Sequence, residues 1–269
     1  YGDWCAPSGK PTTPVGSRHT SNVISGYFWI RQLEVMAGAA SVLGKTTAAA
    51  AYATQAGASR AAFGTLYFDA KRGVFRDPAW TVQQGVEMFQ TEQALAITLA
   101  LDLQDAYNDD SGGSMVNPVP VVPAADLARA AAALAADVAN STGAGSPHLN
   151  VGMVGIKYLF PALAATGHGD LALAALAAED YPGFGYMVQN GEGTLWERWE
   201  GGPHTISGSR NHIMLGSPGQ WMLQGLAGIS LGEGAVAWDK VRIAPLPAAA
   251  TAGSGLGGVD AIVGTPRGP

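Results

Sequence analysis

Glu197 stands between two tryptophans in Gly193-Thr194-Leu195-Trp196-Glu197-Arg198-Trp199-Glu200, and Ser209-Arg210-Asn211-His212 follows soon after. Acids, a base, two indoles and a histidine are crowded into one glycine-rich segment, a composition typical of a sugar-binding site. Indole rings offer flat apolar faces to a pyranose, and aromatic walls that exclude water tune the pKa of a carboxylate between them. Glu197 is therefore the first candidate for acid-base chemistry. The structural alternative is an ordinary Glu197-Arg198 surface pair with both tryptophans in the core. Glycines 183, 185, 191 and 193 on one side and 201, 202 and 208 on the other mark the segment as loop, and two indoles in a loop rarely serve packing alone.

Composition bounds the remaining possibilities. The chain has 269 residues, 47% of them hydrophobic, enough for one large domain or two small ones around a sizeable core. Only 13% are charged and the formal net charge is −6, so no basic face is available for a phosphate backbone and nucleic acid is not expected as a partner. The single cysteine, Cys5, excludes an internal disulfide and a cysteine-built zinc site but leaves the redox compartment open. The alanine runs are cut by Gly, Arg, Asp and Gln before reaching the ~18 apolar residues of a membrane span, so a soluble chain is expected. No His-x-x-x-His spacing suggests a metal and no Gly-x-Ser-x-Gly elbow suggests an acyl hydrolase. No cofactor is expected; compartment and oligomeric state are not legible. Asn140-Ser141-Thr142 matches a glycosylation acceptor, a three-residue pattern common by chance.

The elements that must position the candidate residues read mostly as helices. Apolar residues recur at three- and four-residue steps over about 21–43, ending at Gly44, and a second helix over about 46–63 follows so closely that the two should form an antiparallel hairpin. Further helices are expected over about 85–103, 124–140 (opened by Pro123 and Asp126), 150–166, 170–180 and 217–229, the last with Ser217 as N-cap and Pro218 in its first turn. Gly225 and Gly228 suggest close approach of a neighbouring helix. Residues 241–246 alternate and predict a strand. Seven helices, mostly paired, followed by a β segment suggest hairpins closing around an axis, whose converging loops would bring Glu197 and His212 to residues distant in sequence.

Several segments resemble the α-L-rhamnosidases of glycoside hydrolase family 78. They are Tyr1-Gly2-Asp3-Trp4, then Phe89-Gln90-Thr91-Glu92-Gln93-Ala94-Leu95-Ala96, His148-Leu149-Asn150-Val151-Gly152-Met153-Val154-Gly155, Glu179-Asp180-Tyr181-Pro182-Gly183-Phe184-Gly185-Tyr186-Met187, and the two stretches around Glu197 and His212. Their order and spacing are more specific than any one of them. The resemblance implies an all-α, incomplete (α/α)6 six-hairpin barrel over residues 1–235 and the start of a C-terminal β domain over 236–269. It also implies inverting hydrolysis of terminal α-L-rhamnosides, with a rhamnose-containing glycoside or polysaccharide as partner. An acid protonates the leaving oxygen while a carboxylate on the opposite face activates water, the two standing roughly 6.5–9.5 Å apart.

Carried over by residue, the resemblance makes Glu197 the general base and His212 a sugar contact, with Asp3 and Trp4 lining the same pocket beside Trp196. His148 either caps a helix or lines the pocket. Gln90 or Glu92 faces the barrel mouth or a solvated helix face, and His168 and His204 read as loop residues, while His19 has no evident partner. The family's acid lies in an Asp-Glu-Arg motif that is absent here. The expectation is of a fragment, inactive alone, whose acid lies upstream of Tyr1. Smaller departures are Cys5 in place of an aliphatic residue, Ile213 in place of proline, and Glu192. Another glycosidase or a polysaccharide lyase on the same barrel, or a non-catalytic carbohydrate-binding relative, are the alternatives.

Overall fold

The computed structural model describes residues 2–7, 22–79, 86–103, 119–140, 147–191, 193–200, 208–232, 235–247 and 255–268. His19, Glu192, His204 and the Ser141-Thr142 half of the glycosylation pattern lie outside the described residues. Helices α1 (Asn22–Val42) and α2 (Thr46–Tyr67) form the expected hairpin, turning at Gly44 with φ +68. A left-handed φ at that position is open to glycine at little cost and ends α1. Helix α2 runs one turn beyond the expected Phe63 and feeds an antiparallel ribbon, β1 (Phe68–Asp69) with β2 (Val74–Phe75), in what reads from sequence as loop.

Helix α3 (Gln90–Ala100) lies between α1 and α5 (Gly155–Ala165), while α4 (Ala124–Asn140) and α6 (Gly169–Ala177) pack outside as hairpin partners of α3 and α5. Every residue from Gln90 to Leu99 is buried. The chain thus curves in two layers, with α1, α3 and α5 inside and α2, α4 and α6 outside. Expected helices over 85–103 and 150–166 begin later, because residues 86–89 and 147–152 are not helical and a turn at 153–154 leads into α5.

Buried polar groups tie the layers together. Arg60 of α2 donates to Glu34 of α1 at 2.6 Å and to the carbonyls of Leu99 and Val119. Its guanidinium is almost fully buried, so each of these acceptors offsets desolvation. The backbones of α2 and residue 121 meet so closely that a Cβ on Gly64 would stand 1.8 Å from the Val121 carbonyl oxygen.

Two elements depart from expectation near the C-terminal end. Helix α7 (Phe184–Asn190) forms inside the glycine-rich stretch that reads as loop. Residues 217–229 do not make one long helix: α8 (Pro218–Trp221) passes into a π turn over Met222–Leu226, then into β3 (Ile229–Leu231). Pro218 occupies the first turn as expected, but Ser217 has helical backbone angles and its side chain makes no cap. Strand β4 (Val241–Ile243) forms within the predicted strand and pairs antiparallel with β3, so its hydrogen bonds cross the expected boundary at 235. Gly228, at φ +74, is approached by the backbone of Ala244 after β4, not by a helix.

Among the described residues no helix is long and apolar enough to cross a membrane. Replacing Gly64 with Ala should destabilise the domain by about 1–3 kcal/mol through overpacking against Val121. Gly38 of α1, whose added Cβ meets nothing within 4 Å, should instead gain up to about 1 kcal/mol as Ala. Urea denaturation of the two variants checks both signs.

Candidate functional site

The site begins with the segment Gly2–Pro7, which lies against the N-terminal end of α5. Asp3 has 0% exposure and its carboxyl group accepts four hydrogen bonds. Oδ2 receives the Gly152 N–H at 2.7 Å and the Thr91 hydroxyl of α3. Oδ1 receives the N–H groups of Val154 at 2.8 Å and Gly155 at 3.2 Å, two of the donors a helix N-terminus leaves without an intrahelical partner. A Cβ on Gly152 would stand 2.1 Å from the Trp4 carbonyl oxygen, and one on Gly155 would stand 2.2 Å from Thr91 Oγ1. Asp3 therefore joins α3, α5 and its own segment, its carboxyl enclosed by these four donors. The expectation that Asp3 lines the pocket beside Trp4 is corrected on its burial: Gly2 and Trp4 line the cavity and Asp3 does not.

Trp4 follows, half-buried, with its carbonyl accepting from Met153 N–H at 2.9 Å. Its indole N–H is hydrogen-bonded to the carboxylate of Glu197, and the Arg198 guanidinium lies 5.9 Å from its ring centroid. Trp4 is also a wall of a cavity of about 590 Å³, with Gly2, Ile24, Ser25, Phe28, Met153 and Val154. Those residues come from the N-terminal ends of α1 and α5 and from the Asp3 segment.

Glu197 sits in the loop between α7 and a 3₁₀ turn over Ile213–Leu215. Residues 194–197 run beside 209–212: Glu197 N–H donates to the Ser209 carbonyl at 2.8 Å and His212 N–H to the Leu195 carbonyl at 2.9 Å. Ser209 N–H donates to Glu197 Oε2 at 2.9 Å. That backbone donor lowers the pKa of Glu197 below its ordinary value; desolvation opposes it, and His212, Trp4 and Arg198 reinforce it. His212, half-buried on the same rim, accepts the Met214 N–H at Nδ1, 3.3 Å away. Accepting there leaves the proton of the neutral ring on Nε2, as a donor.

Both flanking indoles point inward. Trp196 has 2% exposure, packs edge-on against Tyr186 and lies over Gly191. Trp199 is fully buried, donates its indole N–H to the Val151 carbonyl at 2.8 Å and meets Phe184 edge-on. The core reading applies to Trp196, and of the three indoles at the site Trp4 is the one that is not buried. His148 is likewise buried, its Nε2 2.9 Å from Asp180 Oδ2, so it ties loops together and does not line the pocket. Gln90 and Glu92 face neither the barrel mouth nor solvent: Gln90 bonds Asp137 and Asn150 N–H, and Glu92 accepts Asp77 N–H. His168 occupies the turn between α5 and α6, as read.

Three contributors escape a reading by motif. Arg198 reads from sequence as a surface partner of Glu197, Ser209 acts through its backbone, and Cys5 adopts φ 61, unusual without a glycine. Burial pushes the Cys5 thiol up to about 11; Arg198 opposes this, and Glu197 and Glu200 add to it. Among the described residues no cluster of three or more His, Cys, Asp or Glu side chains could hold a metal ion.

The model of the bacterial alpha-L-rhamnosidase 6 hairpin glycosidase domain matches residues 1–226. The chain belongs to this family. It is 31% identical over 254 residues to an alpha-L-rhamnosidase of Streptomyces avermitilis, covering 92% of this chain and 20% of the relative. Against an alpha-L-rhamnosidase of Formosa agariphila it is 28% identical, covering 100% of this chain and 25% of the relative. The chain thus spans about a fifth to a quarter of these curated relatives. The solved Streptomyces avermitilis alpha-L-rhamnosidase complexed with L-rhamnose superposes with TM-score 0.65 at 30% identity, over 92% of this chain and 20% of that one. The alpha-L-rhamnosidase of Dictyoglumus thermophilum gives TM-score 0.67 at 27% identity, over 90% and 23%.

In this rhamnosidase-family domain the site rests on Asp3. Asp3→Ala leaves four donors without their acceptor, each costing about 1–3 kcal/mol where water does not replace it. The expected loss is about 3 kcal/mol or more, read as a lower midpoint in urea with an unchanged slope.

Proposed function

We propose that the polypeptide carrying this domain hydrolyses terminal α-L-rhamnosides with inversion of configuration, Glu197 serving as general base. The observation that carries this reading is a half-buried carboxylate, held in its ionised form and hydrogen-bonded to Trp4, the indole that walls the cavity. The Streptomyces avermitilis structure complexed with L-rhamnose, and relatives named alpha-L-rhamnosidases, support the sugar. Glu197 takes a proton from water as the water oxygen attacks the anomeric carbon. The bond to the leaving oxygen breaks as an acid protonates it, and the product is the opposite anomer. No Asp-Glu-Arg occurs in residues 1–269; the reading assigns the acid to a segment outside them and holds this chain alone inactive. Trp4 offers its ring to the apolar side of the sugar, and His212 donates from Nε2 to a hydroxyl. The partner is a rhamnose-containing glycoside or polysaccharide.

General-base assistance contributes about 10²–10⁴ in rate, so Glu197→Gln in the polypeptide that also carries the acid should lose that much kcat on an aryl α-L-rhamnoside while still binding L-rhamnose. Proton NMR during turnover should show the β-anomer first. Retained turnover in the variant, or the α-anomer appearing first, defeats the assignment; binding of rhamnose by a wild type without turnover favours a carbohydrate-binding relative.

The base must be ionised, so kcat/KM falls as pH drops through the pKa of Glu197. Because that pKa lies below the ordinary 4.5, the acid limb should lie below it too. Trp4→Phe removes a donor to the charged form, which raises the pKa and should move the limb to higher pH. A pH profile of kcat/KM for both proteins checks the direction.

A further inference from the structure

We infer that Tyr181 and Glu200 form a brace that holds the base-bearing loop in register, both acting as positioning residues. The inference rests on the reading of Glu197 as general base. Tyr181 lies between α6 and α7, and its hydroxyl donates to Glu200 Oε1 at 3.1 Å. Its ring meets Tyr186 edge-on at 5.6 Å between centroids, and Tyr186 meets Trp196 edge-on at 6.1 Å. One aromatic run thus touches the residue before Glu197 and, through the hydroxyl, the residue three after it.

The other end of this run is rooted in the outer layer. Asp180, adjacent to Tyr181, stands 2.9 Å from His148 Nε2, and His148 N–H donates to the Val138 carbonyl of α4 at 2.9 Å. Position is therefore transmitted from α4 through His148 and the 180–181 segment to Glu200. The Tyr181 hydroxyl adds a tether at Glu200 to a segment whose indoles at 196 and 199 are buried. Catalysis is sensitive to this, since a misplacement of about 1 Å costs as much as about 10²-fold.

The variants separate hydrogen bond from charge. Gln at position 200 keeps an oxygen acceptor for the Tyr181 hydroxyl and removes the negative charge; Ala removes both. In the polypeptide carrying the acid, Y181F and E200A should each lower kcat on an aryl α-L-rhamnoside by about tenfold or more. KM should stay within about twofold, since substrate is bound elsewhere, and the acid limb of kcat/KM should not move. E200Q should keep kcat near the wild-type value. Melting temperatures of all three, with kcat scaled to folded protein, separate misplacement from unfolding. Full kcat in Y181F, E200Q falling as far as E200A, or losses that vanish on scaling would each overturn the brace. A wild type that releases no rhamnose overturns the functional reading, and is distinguishable from an active wild type with an equally active Y181F.

Discussion

Four donors converge on one buried carboxyl group, and the rest of the site is placed by that convergence. Asp3 receives Thr91 from α3 and three consecutive-region amides from the start of α5, while its own chain continues directly into Trp4. Two inner-layer helices and the indole of the pocket are thereby fixed relative to one another. Burying such a group is costly unless every lone pair meets a donor, so the arrangement tolerates little slack: a carboxyl that satisfies these amides can only sit where they point. Gly152 and Gly155 are part of the same device, because side chains there would occupy the space of the Trp4 carbonyl and the Thr91 hydroxyl.

The loop carrying Glu197 solves a different problem, which is how a segment without regular structure holds the proposed base still. Its answer is to send tryptophans 196 and 199 into the core and leave 197 and 198 beside Trp4. A loop anchored by two buried indoles, one of them also hydrogen-bonded to Val151, has little freedom left. Rigid support of this kind is what functional loops require. Helix α7 exists in this context: Phe184 and Tyr186 supply edges against Trp199 and Trp196.

What could be read from sequence divides along physical lines. Helix α4 was legible to the residue, because Pro123 and Asp126 mark its start and an apolar stripe runs along one side. The start of α3 was not, since a helix buried on every face shows no polar stripe to delimit it. Helix α7 was hidden by glycines whose purpose is steric: the Ala178 carbonyl lies 2.6 Å from where a Cβ on Gly183 would be and 2.7 Å from one on Gly185. In the candidate site, the nearness of Trp4, Glu197 and His212 was legible from the motifs that carry them, since the structure brings the three together. Trp196, Asp3 and His148 were misassigned as contacts because residue type is the same whether an indole stacks on a sugar or fills a core, and whether a carboxyl binds a ligand or caps a helix. Burial decides between them, and burial is a property of the assembled layers.

The same surroundings act oppositely on the two acidic groups next to Trp4, and the difference suits the chemistry. Glu197 is held ionised chiefly by a backbone N–H, with charges secondary. Such a donor is fixed by the pairing of residues 195–197 with 209–212 and is screened by salt far less than a surface ion pair would be. Cys5, one residue from Trp4, is buried and meets the field of Glu197 and Glu200, which keeps its thiol protonated. A thiolate there would be a strong nucleophile. Under the proposed function, an ionised carboxylate beside a protonated thiol leaves water as the group to be activated, so the balance between a backbone donor and local burial bears on which reaction that site would perform.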